Sequence, residues 1–554
     1  MQFFSYAIAG GDFSAAGAAS RGMKEQLKRI GAPAEAIRRT MIAAYEAEMN
    51  VVIHARQGKL EASLSDDRVD VNVIDEGPGI ADVELALTEG FSTASDEART
   101  LGFGAGLGLP NIRRNSDRFH LASTVGRGTR LSFSVVLQAE AAAAGERSSL
   151  YAAADRCRDC LRCVTACPTK AMRVRDGRPM VLDHLCIDCA CCIAACDTGA
   201  LDIESTVDDL AHVNGGDLGP VVLAVPPALP AGFGECVPVE TAWRTLGELG
   251  CAELASVAPY EAAVRSATAQ LASSDKLPRP VIAPLCPAVV DLVRLRFPSL
   301  IAHLAPLASP WEALREARGD APLAAVASCP AQRAALTAGG ADTVDILRPQ
   351  AVRDALLPIL AALPDQATPP PEPRPALLHP VPGSGPSPSA PSPAPPAPSR
   401  PDALLVTGVT HVLSVLEQIE DGLLTSAAVV ELYCCDGGCF GSPLLTEDPA
   451  VAAWRWAGAR LDDGAAETQL AASPLPVPPP ARAYAPRSGV RLDDNMGAAI
   501  AKLARIDALT KGLPGKDCAA CGAPTCAALA EDIVLERATV SLCPYLEDED
   551  DHEA

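Results

Sequence analysis

The stretches CRDCLRCVTACP at residues 157–168 and CIDCACCIAAC at residues 186–196 contain two cysteine runs with the same spacing. Each run has three cysteines separated by two residues, and a fourth cysteine after three more residues. A short loop of this kind can wrap three thiolates around one four-iron cubane. Zinc knuckles or buried thiols are the alternative, but eight cysteines in one repeat favour iron–sulfur ligation.

The two runs resemble those of bacterial two-cluster ferredoxins, in which the fourth cysteine of each run ligates the other cluster. We therefore expect a two-cluster ferredoxin domain at residues 150–205. The implied ligands are Cys157, Cys160, Cys163 and Cys196 for one cluster, and Cys186, Cys189, Cys192 and Cys167 for the second. Cys191 is surplus to this pattern and is interpreted as a small buried residue.

Residues 218–365 alternate strand-like and helix-like segments, which is typical of an α/β fold. Together with 403–445 they resemble the two-lobed catalytic domain of iron-only hydrogenases. The matching pieces are VVLAVPPALPAGFGE at 221–235, APLCPAVVDLVRLRFPSLIAHLAPLASPWEAL at 283–314, ASCPAQRAAL at 327–336 and VVELYCCDGGCFG at 429–441. The resemblance implies a cubane between the two lobes, with the ligands Cys286, Cys329, Cys435 and Cys439.

Three departures from the hydrogenase pattern bear on its chemistry. Leu285 replaces a proton-transferring cysteine, and Gln332 replaces a lysine that contacts the two-iron unit of the family. The glycine-rich stretch after the last cysteine becomes Gly441-Ser442-Pro443. A buried centre with anionic ligands needs such cations and donors, so we expect a cubane without hydrogenase activity, as in non-catalytic hydrogenase-like proteins. Four core cysteines in an α/β domain are the alternative.

Residues 493–546 are expected to form a small helical iron–sulfur domain around LPGKDCAACGAPTCAALAEDIVLERATVSLCP. Its cysteines are Cys518, Cys521, Cys526 and Cys543, with a turn at 522–524 and a predicted helix at about 526–540. The segment resembles the four-cysteine [4Fe–4S] domain of corrinoid iron–sulfur proteins and of an electron-entry subunit in membrane ferredoxin oxidoreductases. Zinc also accepts four thiolates. With iron, sixteen cysteines serve four [4Fe–4S] clusters, leaving Cys191, Cys236, Cys251 and Cys434.

Residues 1–138 contain three short boxes in order: Glu46-x3-Asn50, the run Asp75-Glu76-Gly77-Pro78-Gly79, and a Gly-rich lid at 102–108. They resemble the boxes of the GHKL ATPases, which implies an α/β sandwich fold. The matches DEGPGI, EGFSTA and GAGLGLPNIRR are most similar to anti-sigma-factor serine kinases and stress-switch proteins. The resemblance implies that Glu46 is a general base, Asn50 completes the shell of a Mg²⁺ bound to ATP phosphates, and Asp75 and Thr129 contact adenine. The remaining predicted nucleotide residues are Gly77 and Gly79 and the lid glycines Gly102, Gly104, Gly106 and Gly108. His54 is read as a helix residue near the pocket.

The chain of 554 residues contains 69 acidic and 46 basic residues, for a formal net charge of −23. Nucleic acid is therefore not expected as a partner, whereas a protein with basic patches is. The start shows no signal peptide and no apolar run is long enough for a membrane span, which predicts a cytoplasmic protein. Twenty cysteines in that compartment indicate metal ligation rather than disulfides. Residues 139–149 read as a helical spacer and 366–402 as a disordered Pro-rich insert.

Two functions fit this multidomain α/β and α+β architecture. The first is an ATP-binding iron–sulfur regulator that senses redox state and acts on a protein partner as an ATPase, a serine kinase or a switch. The second is an ATP-gated electron-transfer protein that passes low-potential electrons from ferredoxin to a reductase. The sequence leaves the partner, the oligomeric state and the fate of ATP open.

Overall fold

The computed structural model describes residues 2–65, 68–93, 106–137, 148–203, 218–274, 276–319, 321–337, 344–363, 403–459, 475–487, 489–490, 492–493 and 495–546. The predicted lid residues Gly102 and Gly104 lie outside these ranges. The Pro-rich insert at 366–402 and most of the spacer at 139–149 also lie outside them.

The N-terminal domain is a five-stranded antiparallel sheet in the order β1-β2-β3-β5-β4, packed against helices. The strands are β1 (Gln2–Ala9), β2 (Gln57–Leu64), β3 (Arg68–Asp75), β4 (Arg118–Thr124) and β5 (Gly128–Val136). The helices are α1 (Ala18–Arg29), α2 (Ala34–His54), α3 (Val83–Ala86) and α4 (Gly108–Arg114). Alternation along β3 buries Val69, Val71 and Val73 against α2. This strand is the central one of the sheet, and Asp75 is its last residue.

The ferredoxin segment is a pair of matching loops held by two small hairpin-like sheets. Its strands are β6 (Leu150–Ala152), β7 (Met172–Arg175), β8 (Arg178–Val181) and β9 (Leu201–Ile203), and its helices are α5 (Arg162–Ala166) and α6 (Cys191–Ala194). Asp159 and Leu161 have left-handed φ angles of 55° and 61°, and Asp188 and Ala190 repeat these with 55° and 65°. The internal repeat of the sequence is therefore also a repeat of backbone conformation.

The α/β region contains two parallel sheets, in the orders β11-β10-β13-β14 and β12-β16-β15. Strands such as β13 are buried on both faces, which is why they read as continuous apolar runs. The strands are β10 (Gly219–Val225), β11 (Cys251–Ser256), β12 (Val281–Ala283), β13 (Leu323–Val326), β14 (Val344–Leu347), β15 (Ala403–Thr407) and β16 (Val429–Tyr433). The helices are α7 (Ala228–Ala231), α8 (Val239–Leu246), α9 (Ala258–Ser273), α10 (Pro287–Arg296), α11 (Pro310–Arg318), α12 (Pro330–Thr337), α13 (Pro349–Ala362), α14 (Val409–Glu420) and α15 (Pro449–Gly458).

The Pro-rich stretch at 475–487 lies against this α/β region. The Ala308 N–H donates to the Pro478 carbonyl over 2.9 Å, and the Tyr484 hydroxyl donates to the Leu307 carbonyl over 2.7 Å. The chain then forms α16 (Met496–Gly512) and α17 (Cys526–Val534). Helix α17 is shorter than the predicted 526–540, because Glu536 turns left-handed with φ 58° and the Arg537 N–H bonds back to the Asp532 carbonyl.

The domains pack on one another through named contacts. Leu503 and Ile506 of α16 share one buried core with the N-terminal sheet, and Arg29 pairs with Asp507 at 3.1 Å. Lys24 of α1 pairs with Glu420 of α14 in the α/β region. Among the described residues, no helix combines the length and apolarity that crossing a bilayer requires.

Candidate nucleotide and iron–sulfur sites

Helix α2 places Glu46 and Asn50 one turn apart, on the same face. Glu46 Oε1 accepts a hydrogen bond of 2.7 Å from the Asn111 side-chain amide of α4. Asn50 Nδ2 is buried and has no hydrogen-bond partner among the described residues. A Cβ added at Gly108 would lie 3.3 Å from both Asn50 Oδ1 and Glu46 Oε2, so the helix start approaches these side chains closely.

Asp75, at the end of β3, is held by backbone donors. Its Oδ1 accepts from the Gly77 N–H over 2.7 Å and from the Thr129 N–H over 3.2 Å. The Thr129 hydroxyl lies 3.0 Å from Ser123 Oγ. Gly79 has φ 71°, and a Cβ there would lie 2.2 Å from the Thr124 carbonyl oxygen, which requires glycine. The second box and the GRGT turn at 126–129 therefore meet around one fixed carboxylate.

The described part of the lid begins at Gly106. Its φ is 75°, and its carbonyl accepts from the Gly90 N–H over 3.0 Å. The unpartnered Asn50 amide, the oriented Glu46 and Asp75 carboxylates and this glycine turn fit a Mg²⁺-nucleotide, which needs anionic ligands for the metal and donors for phosphate. Burial lowers the pKa of His54 below its usual value, which agrees with a packed helix residue.

The first predicted ferredoxin set surrounds one cavity with about 330 Å³ of empty space. The cysteines that line the cavity come from both runs, and they are Cys157, Cys160, Cys163 and Cys196. Burial, followed by the neighbouring thiols, raises the pKa of Cys163 to about 11. A thiolate is unfavourable there without a compensating cation, and cluster iron would supply one.

The second predicted ferredoxin set is more deeply buried. Burial, with Cys186 and Cys167 nearby, raises the pKa of Cys192 well above its usual value. Backbone N–H groups point at two of the sulfurs: Ala171 N–H donates to Cys167 Sγ over 3.2 Å, and Asp188 N–H to Cys186 Sγ over 3.4 Å. Such donors stabilise a thiolate, as they do around iron–sulfur clusters generally.

The four predicted cysteines of the α/β region converge from three loops between the two sheets. The four cysteines are Cys286, Cys329, Cys435 and Cys439. Burial first, and also the charge of neighbouring members of this set, raises the pKa of Cys329, Cys435 and Cys439. Gln332 is 3% exposed, accepts from the Ser328 N–H over 2.8 Å and directs its amide nitrogen to Cys439 Sγ at 3.8 Å. The residue that replaces the lysine of the hydrogenase pattern is thus a neutral donor to a predicted ligand.

Two cysteines that the ligand count left over contact predicted ligands. Cys434 hydrogen-bonds Cys286, which lowers the pKa of Cys286 to about 7. Cys191 hydrogen-bonds Cys189, and this contact is the main reason why the pKa of Cys189 rises and that of Cys191 falls. Sequence spacing marked both residues only as neighbours of ligands. The contact of Cys434 with Cys286 joins distant parts of the chain and carries no local signal, whereas Cys191 and Cys189 lie two residues apart in one loop.

The C-terminal set lines a cavity with about 300 Å³ of empty space. The cysteines that line it are Cys518, Cys521, Cys526 and Cys543. The Cys526 N–H donates to Asp517 Oδ1 over 2.7 Å, which fixes the start of α17. Gly522 has φ 72°, and a Cβ there would lie 1.8 Å from the Val174 carbonyl oxygen of the ferredoxin hairpin.

Over the described ranges, no three cysteine, histidine or carboxylate side chains converge in the way that a single metal ion requires. Zinc draws its four ligand atoms to about 2.0–2.3 Å from one centre. The first ferredoxin set and the C-terminal set each line a cavity with four cysteines, a donor set that fits a four-iron cubane.

Three family models match separate parts of the chain. The model of the histidine kinase-, DNA gyrase B- and HSP90-like ATPases matches residues 36–140, the 4Fe-4S dicluster domain matches 149–197, and an Fe-S cluster model matches 513–545. The dicluster and C-terminal matches contain twelve of the sixteen predicted cluster cysteines.

Curated relatives match the N-terminal part only. An anti-sigma F factor of Caldanaerobacter subterraneus subsp. tengcongensis is 37% identical over 92 residues, which is 16% of this chain and 61% of the relative. The serine/threonine-protein kinase RsbT of Bacillus subtilis is 32% identical over 97 residues, covering 17% of this chain and 67% of the kinase. The chain thus spans about three fifths of the length of the anti-sigma F factors that it matches.

Among solved structures, an [FeFe]-hydrogenase HydA1 variant of Chlamydomonas reinhardtii aligns with 51% of this chain and 100% of its own, at 14% identity and a TM-score of 0.34. HydA(deltaEFG) aligns over the same shares at 15% identity and a TM-score of 0.36. Two iron–sulfur domains thus follow an N-terminal ATPase domain. By that N-terminal domain, this protein belongs to the family of histidine kinase-, DNA gyrase B- and HSP90-like ATPases.

Proposed function

We propose that this chain is an ATP-binding iron–sulfur regulator, which senses redox state through its clusters and acts on a protein partner. The observation that carries the proposal is the oriented set of Glu46, Asn50 and Asp75. This set lies in the region that matches an anti-sigma factor and a serine/threonine kinase. Buried cysteine sites are packed into the same molecule.

The nucleotide chemistry would rest on a few side chains. ATP supplies the phosphoryl group, with Mg²⁺ held through Asn50. Asp75 is fixed by two backbone N–H groups, so its carboxylate can accept a hydrogen bond from the adenine amino group. Glu46, positioned by Asn111, is placed to accept a proton from an attacking hydroxyl or water. The same geometry serves a kinase and an ATPase.

Replacing Asp75 with Asn should weaken ATP binding roughly 10- to 100-fold, because a hydrogen bond to a charged group is worth about 1.5–3 kcal/mol. Titration calorimetry on anaerobic protein measures this loss. Glu46→Gln is the matched companion: it should retain binding and lose phosphoryl transfer or hydrolysis. Unchanged ATP affinity in Asp75→Asn would contradict the proposed site.

We further propose four [4Fe–4S] clusters on the sixteen cysteines assigned above. Supporting this, the first ferredoxin set and the C-terminal set each line a cavity, and burial raises the pKa of Cys163, Cys192 and Cys329. Free thiolates at these positions would be costly to bury, whereas cluster iron neutralises them. Bound cluster iron would therefore compensate for the burial of thiolates at these positions.

Anaerobically prepared protein should contain iron and acid-labile sulfide close to four cubanes, and little zinc. Replacing Cys163 with Ser should remove one cluster and leave the others. Cys236→Ser is the control, because Cys236 is exposed and belongs to none of the four sets. Protein rich in zinc and poor in sulfide would contradict the assignment.

Hydrogen chemistry is not part of the proposed function. Leu285 is 4% exposed and offers no proton, and Gln332 is neutral and already engaged by Ser328. Co-expression with hydrogenase maturation enzymes should therefore yield no hydrogen evolution or uptake at hydrogenase rates. The check is an infrared spectrum of that protein. Carbonyl or cyanide bands would show that a two-iron unit binds, against this expectation.

A second candidate function is ATP-gated electron transfer to a reductase. The observation that favours it is the direct packing of the C-terminal cysteine site on the ferredoxin hairpin. The two candidates differ in what the nucleotide does. Phosphoryl transfer to a protein that is lost in Glu46→Gln supports regulation, whereas ATP-dependent reduction of an acceptor supports transfer.

A further inference from the structure

The C-terminal domain touches the ferredoxin hairpin backbone to backbone. The Val174 N–H donates to the Gly522 carbonyl over 3.0 Å, and Arg175 Nη1 donates to the Cys521 carbonyl over 2.7 Å. A side chain at Gly522 would collide with the Val174 carbonyl, so the approach depends on glycine at this position.

Each side of this contact belongs to a cysteine site. Val174 lines the cavity that contains Cys157, Cys160, Cys163 and Cys196. Cys521 lines the C-terminal cavity together with Cys518, Cys526 and Cys543. Val174, a wall residue of the first cavity, thus bonds the residue that follows Cys521, a wall residue of the second. The first ferredoxin site and the C-terminal site are therefore neighbours.

A buried ion cluster links the ferredoxin hairpin to the C-terminal domain beside this contact. Arg173 and Arg175 both pair with Asp532, at 2.5 Å and 2.9 Å, and the Asp532 side chain is 1% exposed. Two guanidinium groups share this carboxylate. Glu531 also lies close by, and burial raises its pKa. The contact is thus held in one geometry, and Arg175 brings a positive charge to the Cys521 backbone.

We propose that the C-terminal cysteine site and the first ferredoxin site exchange electrons directly across the contact of Val174 and Arg175 with Gly522 and Cys521. Arg175 is a positioning residue, whose charge stabilises the additional negative charge of the reduced C-terminal site. One electron moves from the reduced site, which is oxidised, to the oxidised site, which is reduced; no bond forms or breaks. The external donor is a low-potential one-electron reductant such as dithionite. The inference rests on the clusters proposed above and is independent of ATP.

The neighbour relation is tested by electron paramagnetic resonance of the fully reduced full-length protein and its Cys518→Ser variant. Cys518 is exposed, so its loss disturbs packing least, and Cys236→Ser is the control. Adjacent reduced clusters interact magnetically. Loss of the C-terminal cluster should therefore remove this interaction, so that the resonance lines of the ferredoxin clusters are narrower in Cys518→Ser than in the wild type.

Iron analysis separates the two ways of failing. If Cys518→Ser retains all its iron, the cluster assignment is wrong. If it loses one cluster and the difference spectrum is only the signal of one isolated cluster, the two sites are not neighbours and the exchange is overturned.

The role of Arg175 is tested by redox titration of the C-terminal cluster. Arg175→Gln should shift its reduction equilibrium about tenfold toward the oxidised form, or ~59 mV for one electron. Arg175→Lys keeps the charge and should recover most of the shift. Arg178 lies opposite Arg175 in the same hairpin and is exposed, so Arg178→Gln should leave the potential unchanged. Equal potentials in wild type and Arg175→Gln, or equal shifts in Arg175→Gln and Arg178→Gln, would overturn the role.

Discussion

Asp532→Ala should destabilise the union of the ferredoxin hairpin and the C-terminal domain by about 3–5 kcal/mol, because it leaves buried charges without their partner. Arg173 Nε and Nη2 lie 2.5 Å and 3.2 Å from the two carboxylate oxygens, and Arg175 Nη2 lies 2.9 Å from one of them. The Arg173 and Asp532 side chains are 4% and 1% exposed. Removing the carboxylate therefore leaves the buried Arg173 guanidinium, and the Arg175 guanidinium at 14% exposure, without their anionic partner.

The matched control is Asp197→Ala. Asp197 pairs with Arg162 over 2.9 Å, the distance of the Arg175–Asp532 pair, but both side chains are about 60% exposed. Exposed pairs contribute about 0.2–1 kcal/mol, so this variant should unfold almost like the wild type. The measurement is anaerobic thermal unfolding followed by the loss of cluster absorbance. An equal drop of the unfolding temperature in both variants would show that the buried pair contributes no more to stability than a surface pair does.

The sequence predicted most where the chemistry is local. The spacing Cys186-x2-Cys189-x2-Cys192 fixes a loop by itself, and the left-handed backbone at Asp188 and Ala190 follows from wrapping that loop. The pair of Glu46 and Asn50 is likewise determined by the helix period. The mixed α/β fold class and the ATPase and iron–sulfur domains are confirmed. The individual ligands, the domain limits and the cluster count stay predictions.

The sequence could not show how distant segments meet. Arg173 and Asp532 are separated by 359 positions, and neither lies in a motif. The thiol contact between Cys434 and Cys286 joins the loops that follow β16 and β12, neighbouring strands of one sheet that lie far apart in the sequence, so residue spacing contains no trace of it. The stretch around Tyr484 is Pro-rich and has no motif, yet the Tyr484 hydroxyl bonds the Leu307 carbonyl of the α/β region. Tertiary packing decides each of these cases.

A set of contacts connects the predicted nucleotide residues with the loop of Cys286. Helix α1 contacts the α/β region through Lys24, which pairs with Glu420, and Lys28, which bonds the Arg296 carbonyl. Lys28 also lies 5.6 Å from the centre of the Phe297 ring, and burial lowers its pKa to about 8. Arg296 ends α10, the helix that begins directly after Cys286. On the other side, α1 packs on α2, which contains Glu46 and Asn50.

If closure around ATP moves α2, this route should shift the environment of Cys286, and linkage requires the reverse effect to be equal. Coupling of 1–3 kcal/mol is typical of allosteric proteins, so reducing the clusters should change ATP affinity about 5- to 150-fold. The measurement is ATP titration calorimetry on oxidised and dithionite-reduced protein. Asp75→Asn serves as the weak-binding reference.

Lys24→Gln tests the contact between the domains without changing either binding site. It breaks the ion pair with Glu420, and Lys24 is neither a predicted nucleotide residue nor a cysteine. This variant should still bind ATP, but its ATP affinities in the oxidised and the reduced state should be nearly equal. Lys59→Gln is the matched control, since it removes an ion pair of 2.6 Å with Glu61 on the exposed part of the same domain. Coupling that survives Lys24→Gln undiminished would exclude the Lys24–Glu420 pair as the route. Equal ATP affinities in oxidised and reduced wild-type protein would contradict redox sensing within the single chain.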